Sequence, residues 1–196
     1  RGLAARYDFA TRRMEPVRRD TIEQLGLCPG DRVLDIASGT GKSFALLRQA
    51  VGPDGAVVAV EPVAEMMDQA RDRVEREGMH NVTLLEHAAE TAPLEPASFD
   101  AALFMYAQDV LQSERALERI SAALKPGARV GIAGFKLMPW WTGVANVYLL
   151  AVSWRYFTSF RNLRRPWTLL QRHVPDLRVR DTFFGSGYSG HGQCHR

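Results

Sequence analysis

Cysteine is scarce in this chain of 196 residues, and long apolar runs are missing. Cys28 and Cys194 are far apart and form neither a CxxC pair nor a Cys/His cluster, so we expect no disulfide framework and no metal site. The longest apolar run covers residues 144–154 and is interrupted by Asn146 and Ser153, whereas a membrane-spanning helix needs about 20 apolar residues. The sequence therefore predicts no transmembrane segment and favours a protein of the reducing cytoplasm.

A strong excess of charge of one sign is also missing, because 25 Lys and Arg face 22 Asp and Glu, for a net charge of +3. The basic character lies at the C-terminal end, where residues 151–196 hold 8 basic and 2 acidic side chains. These arginines could meet phosphates of nucleic acid, phospholipid or an anionic substrate. Since no nucleic-acid motif accompanies them, we expect a solvated basic surface and no nucleic-acid partner. With 46% hydrophobic residues, residues 1–196 are expected to form a single domain.

Short β-rich runs alternate with segments of helical period, which is typical of βαβ units in a parallel sheet. The pattern predicts strands at residues 32–36, 56–60, 82–86, 100–105 and 129–133, and helices at about 13–25, 43–51, from 62 onward, and 114–124. Residues 177–183 and 184–191 are predicted as two final strands joined by a tight connection, hence an antiparallel edge. Between them and the fifth strand, the aromatic-rich stretch at about 138–170 is predicted to be an inserted helix or lid over the substrate.

A glycine turn follows the first predicted strand and gives the strongest functional signal. The strand runs through Asp35 into Gly39 and Gly41 and then a helix, so the backbone can approach a ligand closely at the carboxyl edge of the sheet. A phosphate loop would need a glycine where Ile36 stands, which excludes that class. A dinucleotide fingerprint would need a third glycine where Phe44 stands, which disfavours NAD.

Glu61 ends the second predicted strand, 22 residues after Gly39. This is near the offset of about 20 residues at which an acid reaches ribose hydroxyls. A carboxylate can accept from two hydroxyls at once. On its own, Glu61 could equally be an acid favoured by a helix dipole, just before Pro62. Together with the glycine turn it indicates a ligand with a ribose but no pyrophosphate.

The chain resembles the class I S-adenosylmethionine-dependent methyltransferases, most of all their small-molecule branch with the quinone-biosynthesis and phospholipid enzymes. The resemblance rests on four motifs within about residues 7–130: residues 33–41, residues 60–62 with Met66, residues 98–100 and residues 124–127. It implies a Rossmann-like three-layer α/β sandwich with a mostly parallel sheet, S-adenosylmethionine as cofactor and S-adenosylhomocysteine as product. The cofactor-binding residues that it implies are Asp35, Ala37, Gly39, Gly41, Glu61, Pro62, Met66, Ala88, Ala89 and Tyr106.

The chain departs from the family at the adenine end of this site. Ala88 and Ala89 stand where relatives often have an Asp that accepts from the adenine amino group. Glu90 or a backbone carbonyl could take its place.

Asp109, which follows the fourth predicted strand, is the candidate base or substrate-orienting group, although it could instead cap the next helix. Tyr7, Trp141 and Tyr148 are the candidate substrate contacts, and their rings suggest an aromatic or lipid-like acceptor. The aromatic stretch could equally be a hydrophobic clamp or the surface of a homodimer.

Three functions remain open at this point. The first is methyl transfer to a small molecule, with the methylated atom (O, N or C) unassigned. The second is a non-methylating enzyme that binds S-adenosylmethionine, such as a cyclase, which the missing adenine Asp permits. The third is a nucleic-acid methyltransferase or binding module using the basic C-terminal part. Cofactor titration with a test of methyl release distinguishes them.

Overall fold

A seven-stranded sheet organises the chain in a computed structural model that describes residues 14–137 and 162–194. The helices are α1 (Glu15–Gln24), α2 (Phe44–Val51), α3 (Ala64–Arg76), α4 (Gln108–Leu111) and α5 (Glu114–Ala123). The strands are β1 (Arg32–Ile36), β2 (Ala56–Val60), β3 (Val82–Leu85), β4 (Phe99–Met105), β5 (Leu124–Phe135), β6 (Arg178–Thr182) and β7 (Gly187–Gln193). Short 3-10 turns cover Leu170–Arg172 and Phe183–Gly185.

The strand order is β3-β2-β1-β4-β5-β7-β6, with every pair parallel except those that involve β7. Two hydrophobic clusters lie on the two sides of the sheet. One contains buried residues of α1, α2 and α3, and the other contains buried residues of α4 and α5 and of residues 167–177. The predicted mostly parallel sheet in a three-layer sandwich is confirmed.

The observed boundaries of strands and helices differ most from the predicted ones at the C-terminal end of the fold. The two final strands pair antiparallel as predicted, but the second begins at Gly187 and not at 184, because Phe183 and Phe184 adopt left-handed backbone angles that end β6. That second strand, β7, also lies inside the sheet between β5 and β6. β5 is longer than predicted, and the short helix α4 was missed.

The predicted insertion at about 138–170 lies only partly within the described residues. Trp167 and Leu170, at the end of the predicted insertion, are buried in the cluster that contains α5. Tyr7, Trp141 and Tyr148 lie outside the described residues. Within the described ranges, no helix combines the length and apolar character needed to cross a bilayer.

Replacing Gly134 by Ala should destabilise the protein by roughly 1 to 3 kcal/mol. The added Cβ would lie 2.7 Å from the hydroxyl oxygen of Tyr188, a side chain that is fully buried. That hydroxyl has no hydrogen-bond partner among the described residues. Tyr188→Phe should therefore cost little and should restore part of the loss in the double variant. Urea unfolding of the four proteins measures the coupling, and simple additivity would exclude this contact as the cause.

Candidate functional site

The carboxyl ends of the parallel strands meet at one edge of the sheet, and the turn after β1 forms the floor of the candidate site. Gly39 and Gly41 have φ of 57° and 75°, a region that only glycine occupies without strain. A Cβ on Gly41 would lie 2.3 Å from Cε2 of Phe44, so the first turn of α2 packs directly on the glycine. The sulfur of Met66 lies 3.9 Å from where a Cβ on Gly39 would stand. The surface of the turn is thus formed by backbone atoms, because Gly39 and Gly41 carry no side chains.

Glu61 joins this turn to the one that follows β2. One carboxylate oxygen accepts from the backbone N–H of Gly39 at 3.0 Å, and the other accepts from the N–H of Val63, also at 3.0 Å. The side chain is buried. Burial raises the pKa of Glu61 above its ordinary value, and the two backbone donors limit the rise. Each oxygen keeps a second lone pair, so the carboxylate can still accept from a ligand hydroxyl.

Asp35, near the end of β1, is a second buried acid beneath the same edge. Neither carboxylate oxygen has a hydrogen-bond partner among the described residues. Burial raises the pKa of Asp35 to about 7, with the positive charge of Arg18 opposing the rise and the negative charge of Glu61 adding to it. Arg18, on α1, is itself buried and pairs with Glu15. Asp35 is therefore poised to change protonation near neutral pH.

A cavity of about 260 Å³ opens between the ends of β1, β2 and β4 and the start of α4. Seven residues singled out from the sequence line it: Ala37, Glu61, Pro62, Ala88, Ala89, Tyr106 and Asp109. Asp35, Gly39, Gly41 and Met66 are not among the lining residues. Gly39 instead reaches the cavity wall through its bond to Glu61, and Met66 lies beside the glycine turn.

Five further lining residues were not among the predicted site residues: Val60, Val63, Ala107, Gln108 and Val110. Their signal was position, because each lies within three residues of a predicted site residue.

Glu90 also lines the cavity, next to Ala88 and Ala89. One of its carboxylate oxygens accepts from the Ser113 hydroxyl at 2.6 Å. The backbone carbonyl of Ala88 accepts from the N–H groups of Thr91 and Ala92, so it is already engaged in the local turn. The bond from Ser113 engages only the first carboxylate oxygen of Glu90, so the second oxygen can accept from a ligand amino group.

Asp109 lies in the first turn of α4, exposed at the mouth of the cavity. The interpretation of Asp109 as a helix cap is wrong. Ala107 is the N-cap residue of α4 and makes no side-chain bond, and α5 is capped by Ser113, whose hydroxyl accepts from the N–H of Ala116. Tyr106, directly after β4 and three residues before Asp109, has φ of 62°, and its N–H donates to the backbone carbonyl of Ala133 at 2.7 Å. This left-handed residue turns the chain across the cavity.

Comparison with known proteins shows what this arrangement is similar to. Residues 33–127 match the family model described as a methyltransferase domain. The ubiquinone/menaquinone biosynthesis C-methyltransferase UbiE of Ectopseudomonas mendocina is 37% identical over 120 residues, which are 60% of this chain and 47% of that protein. UbiE of Teredinibacter turnerae is 33% identical over 140 residues, 68% of this chain and 56% of that protein. The chain thus spans about half the length of these curated relatives.

Solved structures show the same fold. A SAM-dependent methyltransferase from Aquifex aeolicus superposes with a TM-score of 0.63 at 21% identity, covering 90% of this chain and 89% of that one. A phosphoethanolamine N-methyltransferase 2 from Haemonchus contortus, in complex with S-adenosyl-L-methionine, superposes with a TM-score of 0.66 at 21% identity, covering 85% of this chain and 38% of that one.

Among the described residues, no cluster of three His, Cys, Asp or Glu could hold a metal ion.

Asp35→Asn should flatten the pH dependence of stability between about pH 4 and pH 7. The folded-state pKa is raised, so the native carboxyl keeps its proton where the unfolded one loses it, and the free energy of unfolding falls as pH rises, by up to ~1.4 kcal/mol per pH unit. Above about pH 7 this contribution is constant. The pKa of Glu61 is also raised, so Glu61 too makes the free energy of unfolding fall as pH rises, and this contribution remains in the variant. Urea unfolding at a series of pH values tests this, and identical slopes for variant and parent would contradict it.

Proposed function

We propose that the chain is a class I S-adenosylmethionine-dependent methyltransferase that transfers a methyl group from S-adenosylmethionine to a small-molecule acceptor. The match of residues 33–127 to a methyltransferase domain and the fold shared with a SAM-dependent methyltransferase support this proposal. The observation that carries the proposal is the Glu61 carboxylate, fixed between the glycine turn and the start of α3 at the wall of the cavity. A carboxylate at the end of the second strand, beside a turn with no phosphate-loop or dinucleotide spacing, suits a ribose without a pyrophosphate.

The described residues fit the proposed cofactor. Glu61 would accept from the ribose hydroxyls, and Glu90 would accept from the adenine amino group. The glycine turn and the orphaned carboxylate of Asp35 would lie at the cationic methionine end. Apolar contacts from Ala37, Pro62 and the pair Ala88 and Ala89 would flank the rings.

When bound, S-adenosylmethionine supplies an electrophilic methyl group on a sulfonium. The protein aligns the acceptor atom with this group and keeps water out. Tyr106 and Asp109, at the exit of β4, lie where the acceptor would approach. In this proposal the Asp109 carboxylate orients the acceptor or accepts the proton that its nucleophilic atom loses.

The relatives' names suggest a ring-bearing acceptor and a carbon nucleophile. Both UbiE proteins are named C-methyltransferases of ubiquinone and menaquinone biosynthesis. We extend to this chain the class of small planar ring compounds, with attack by a ring carbon on the methyl group and loss of that carbon's proton. Tyr7, Trp141 and Tyr148 remain the proposed acceptor contacts from the sequence. Free thiols at Cys28 and Cys194 accord with the proposed cytoplasmic setting.

Glu61→Ala should weaken the binding of S-adenosylmethionine and S-adenosylhomocysteine at least tenfold, because an acceptor for two hydroxyls is lost, worth about 1.5 to 3 kcal/mol. Calorimetric titration measures this, with NAD and ATP as ligands expected not to bind. Glu75→Ala, on the exposed side of helix α3, which begins three residues after Glu61, is the matched control and should bind like the parent. Binding of NAD without S-adenosylmethionine would overturn the proposed function, and unchanged affinity in a folded Glu61→Ala would leave Glu61 as a helix-start acid.

Asp109→Asn should lower turnover by about 10²-fold or more, the usual scale for a general base, while the affinity for S-adenosylhomocysteine stays within twofold. Release of labelled methyl to a panel of quinol and phenol acceptors is the measurement. Asp54→Asn, in the exposed turn before β2, serves as the control. If turnover survives in Asp109→Asn at every pH tested, the acceptor needs no base from this residue.

A further inference from the structure

An aromatic row leads away from the cavity along the carboxyl edge of the sheet. Tyr106 lines the cavity, and its ring centroid lies 5.1 Å from that of Phe135 at the end of β5. The Phe135 centroid lies 6.1 Å from that of Phe183, directly after β6. The rings are tilted by 39° and 35° to each other. These three side chains, here called the aromatic row, connect the cavity to the turn between β6 and β7.

The turn carries a further ring that faces solvent. Phe184 is fully exposed, whereas the other exposed large apolar side chain in residues 14–137 and 162–194, Val63, is 48% exposed. Phe183 and Phe184 have φ of 49° and 55°, a costly conformation for two bulky residues in succession. Folding alone would be served better by glycine or asparagine at these positions.

Local contacts hold the turn in this shape. The Ser186 hydroxyl donates to the Phe183 carbonyl at 2.8 Å, and the N–H of Lys136 donates to the Ser186 carbonyl at 2.9 Å. A Cβ on Gly187 would lie 2.7 Å from Cδ2 of Phe183, so the ring rests on bare backbone. These contacts therefore hold the turn in a defined shape, in which the Phe183 ring packs in the aromatic row and the Phe184 ring faces solvent.

We propose that the aromatic row and Phe184 form the wall that binds the acceptor and selects a planar aromatic ring. The inference rests on the proposed function, because the row begins at Tyr106, in the cavity assigned to the cofactor. Tilted rings 5 to 6 Å apart offer π faces and edges to another flat ring. A nucleic-acid strand would also need cations for its phosphates, but the ammonium of Lys136, next to Phe135, is paired with Asp181 and lies over the ring of Trp167.

The test measures binding of a naphthoquinone, 2,3-dimethyl-1,4-naphthoquinone, in the presence of saturating S-adenosylhomocysteine, by quenching of protein fluorescence. Its methyl groups prevent addition to the exposed free thiol of Cys28. Cyclohexane-1,4-dione, which has the two carbonyls without the aromatic ring, is the comparison ligand. The double variant Phe183→Ala/Phe184→Ala should weaken naphthoquinone binding about fivefold or more, the scale of two lost ring contacts. Its affinity for S-adenosylhomocysteine should stay within twofold of the parent. Phe183→Leu/Phe184→Leu keeps apolar volume and separates ring recognition from general hydrophobic contact.

Three outcomes decide the proposal. Weaker naphthoquinone binding in both double variants, with the control Thr83→Ala on β3 unaffected, supports it. Naphthoquinone binding equal to that of the parent in folded variants overturns it, and so does equal binding of the dione and the naphthoquinone by the parent. The measurement requires no methyl transfer, so it tests the wall separately from the proposed function. A protein that binds the naphthoquinone through this wall but transfers no methyl group would contradict the proposed function and leave the wall supported.

Discussion

The carboxylate of Glu61 connects two turns that belong to successive βαβ units. By accepting from Gly39 on one side and Val63 on the other, it joins the glycine turn after β1 to the residue before α3, just beyond the point where β1 and β2 cease to pair. The cavity between these strand ends therefore has its shape before any ligand enters. A neutral side chain of the same size would lose much of the strength of both bonds, since charge-assisted hydrogen bonds are about twice as strong as neutral ones.

The same edge of the sheet concentrates features that cost stability. Asp35 is buried without a hydrogen-bond partner among the described residues, and Ala37 and Tyr106 have left-handed backbone angles directly after β1 and β4. Each of these is unfavourable by itself, of the order of 1 to 3 kcal/mol. The cores on the two faces of the sheet offset this cost, because the strands beneath are almost fully buried. The fold thus separates a stable, apolar centre from a rim where polar groups are held ready for a ligand.

Local sequence patterns predicted the part of the fold that consists of βαβ units, in which the interacting residues are close together in the chain. Strand β1, the glycine turn and Glu61 follow from a buried run, positive-φ glycines and a spacing that one βαβ unit sets, so they could be located from the sequence. The tight connection between residues 183 and 184 was also predicted, but the sequence placed Phe183 and Phe184 in the two strands, because phenylalanine has a high β propensity. That both residues instead form the turn follows only from their backbone angles and from the contacts with Gly187 and Lys136. The bond between Glu90 and Ser113 joins residues 23 positions apart and has no signal in the pattern of either segment.

Strand β7 inserts between β5 and β6, and its first residue pairs with Phe135, the last residue of β5. More than fifty residues of chain separate these partners, so forming the pair closes a long loop. The entropy of closing such a loop grows only with the logarithm of its length, and doubling it costs about 0.6 kcal/mol. Changes in the length of this connection that keep β6 and the buried residues 167–177 should therefore cost the pairing of β5 with β7 little. The chain that leads to the proposed acceptor wall is thus open to variation in length that leaves β1, with Asp35, and the turn at Glu61 unchanged.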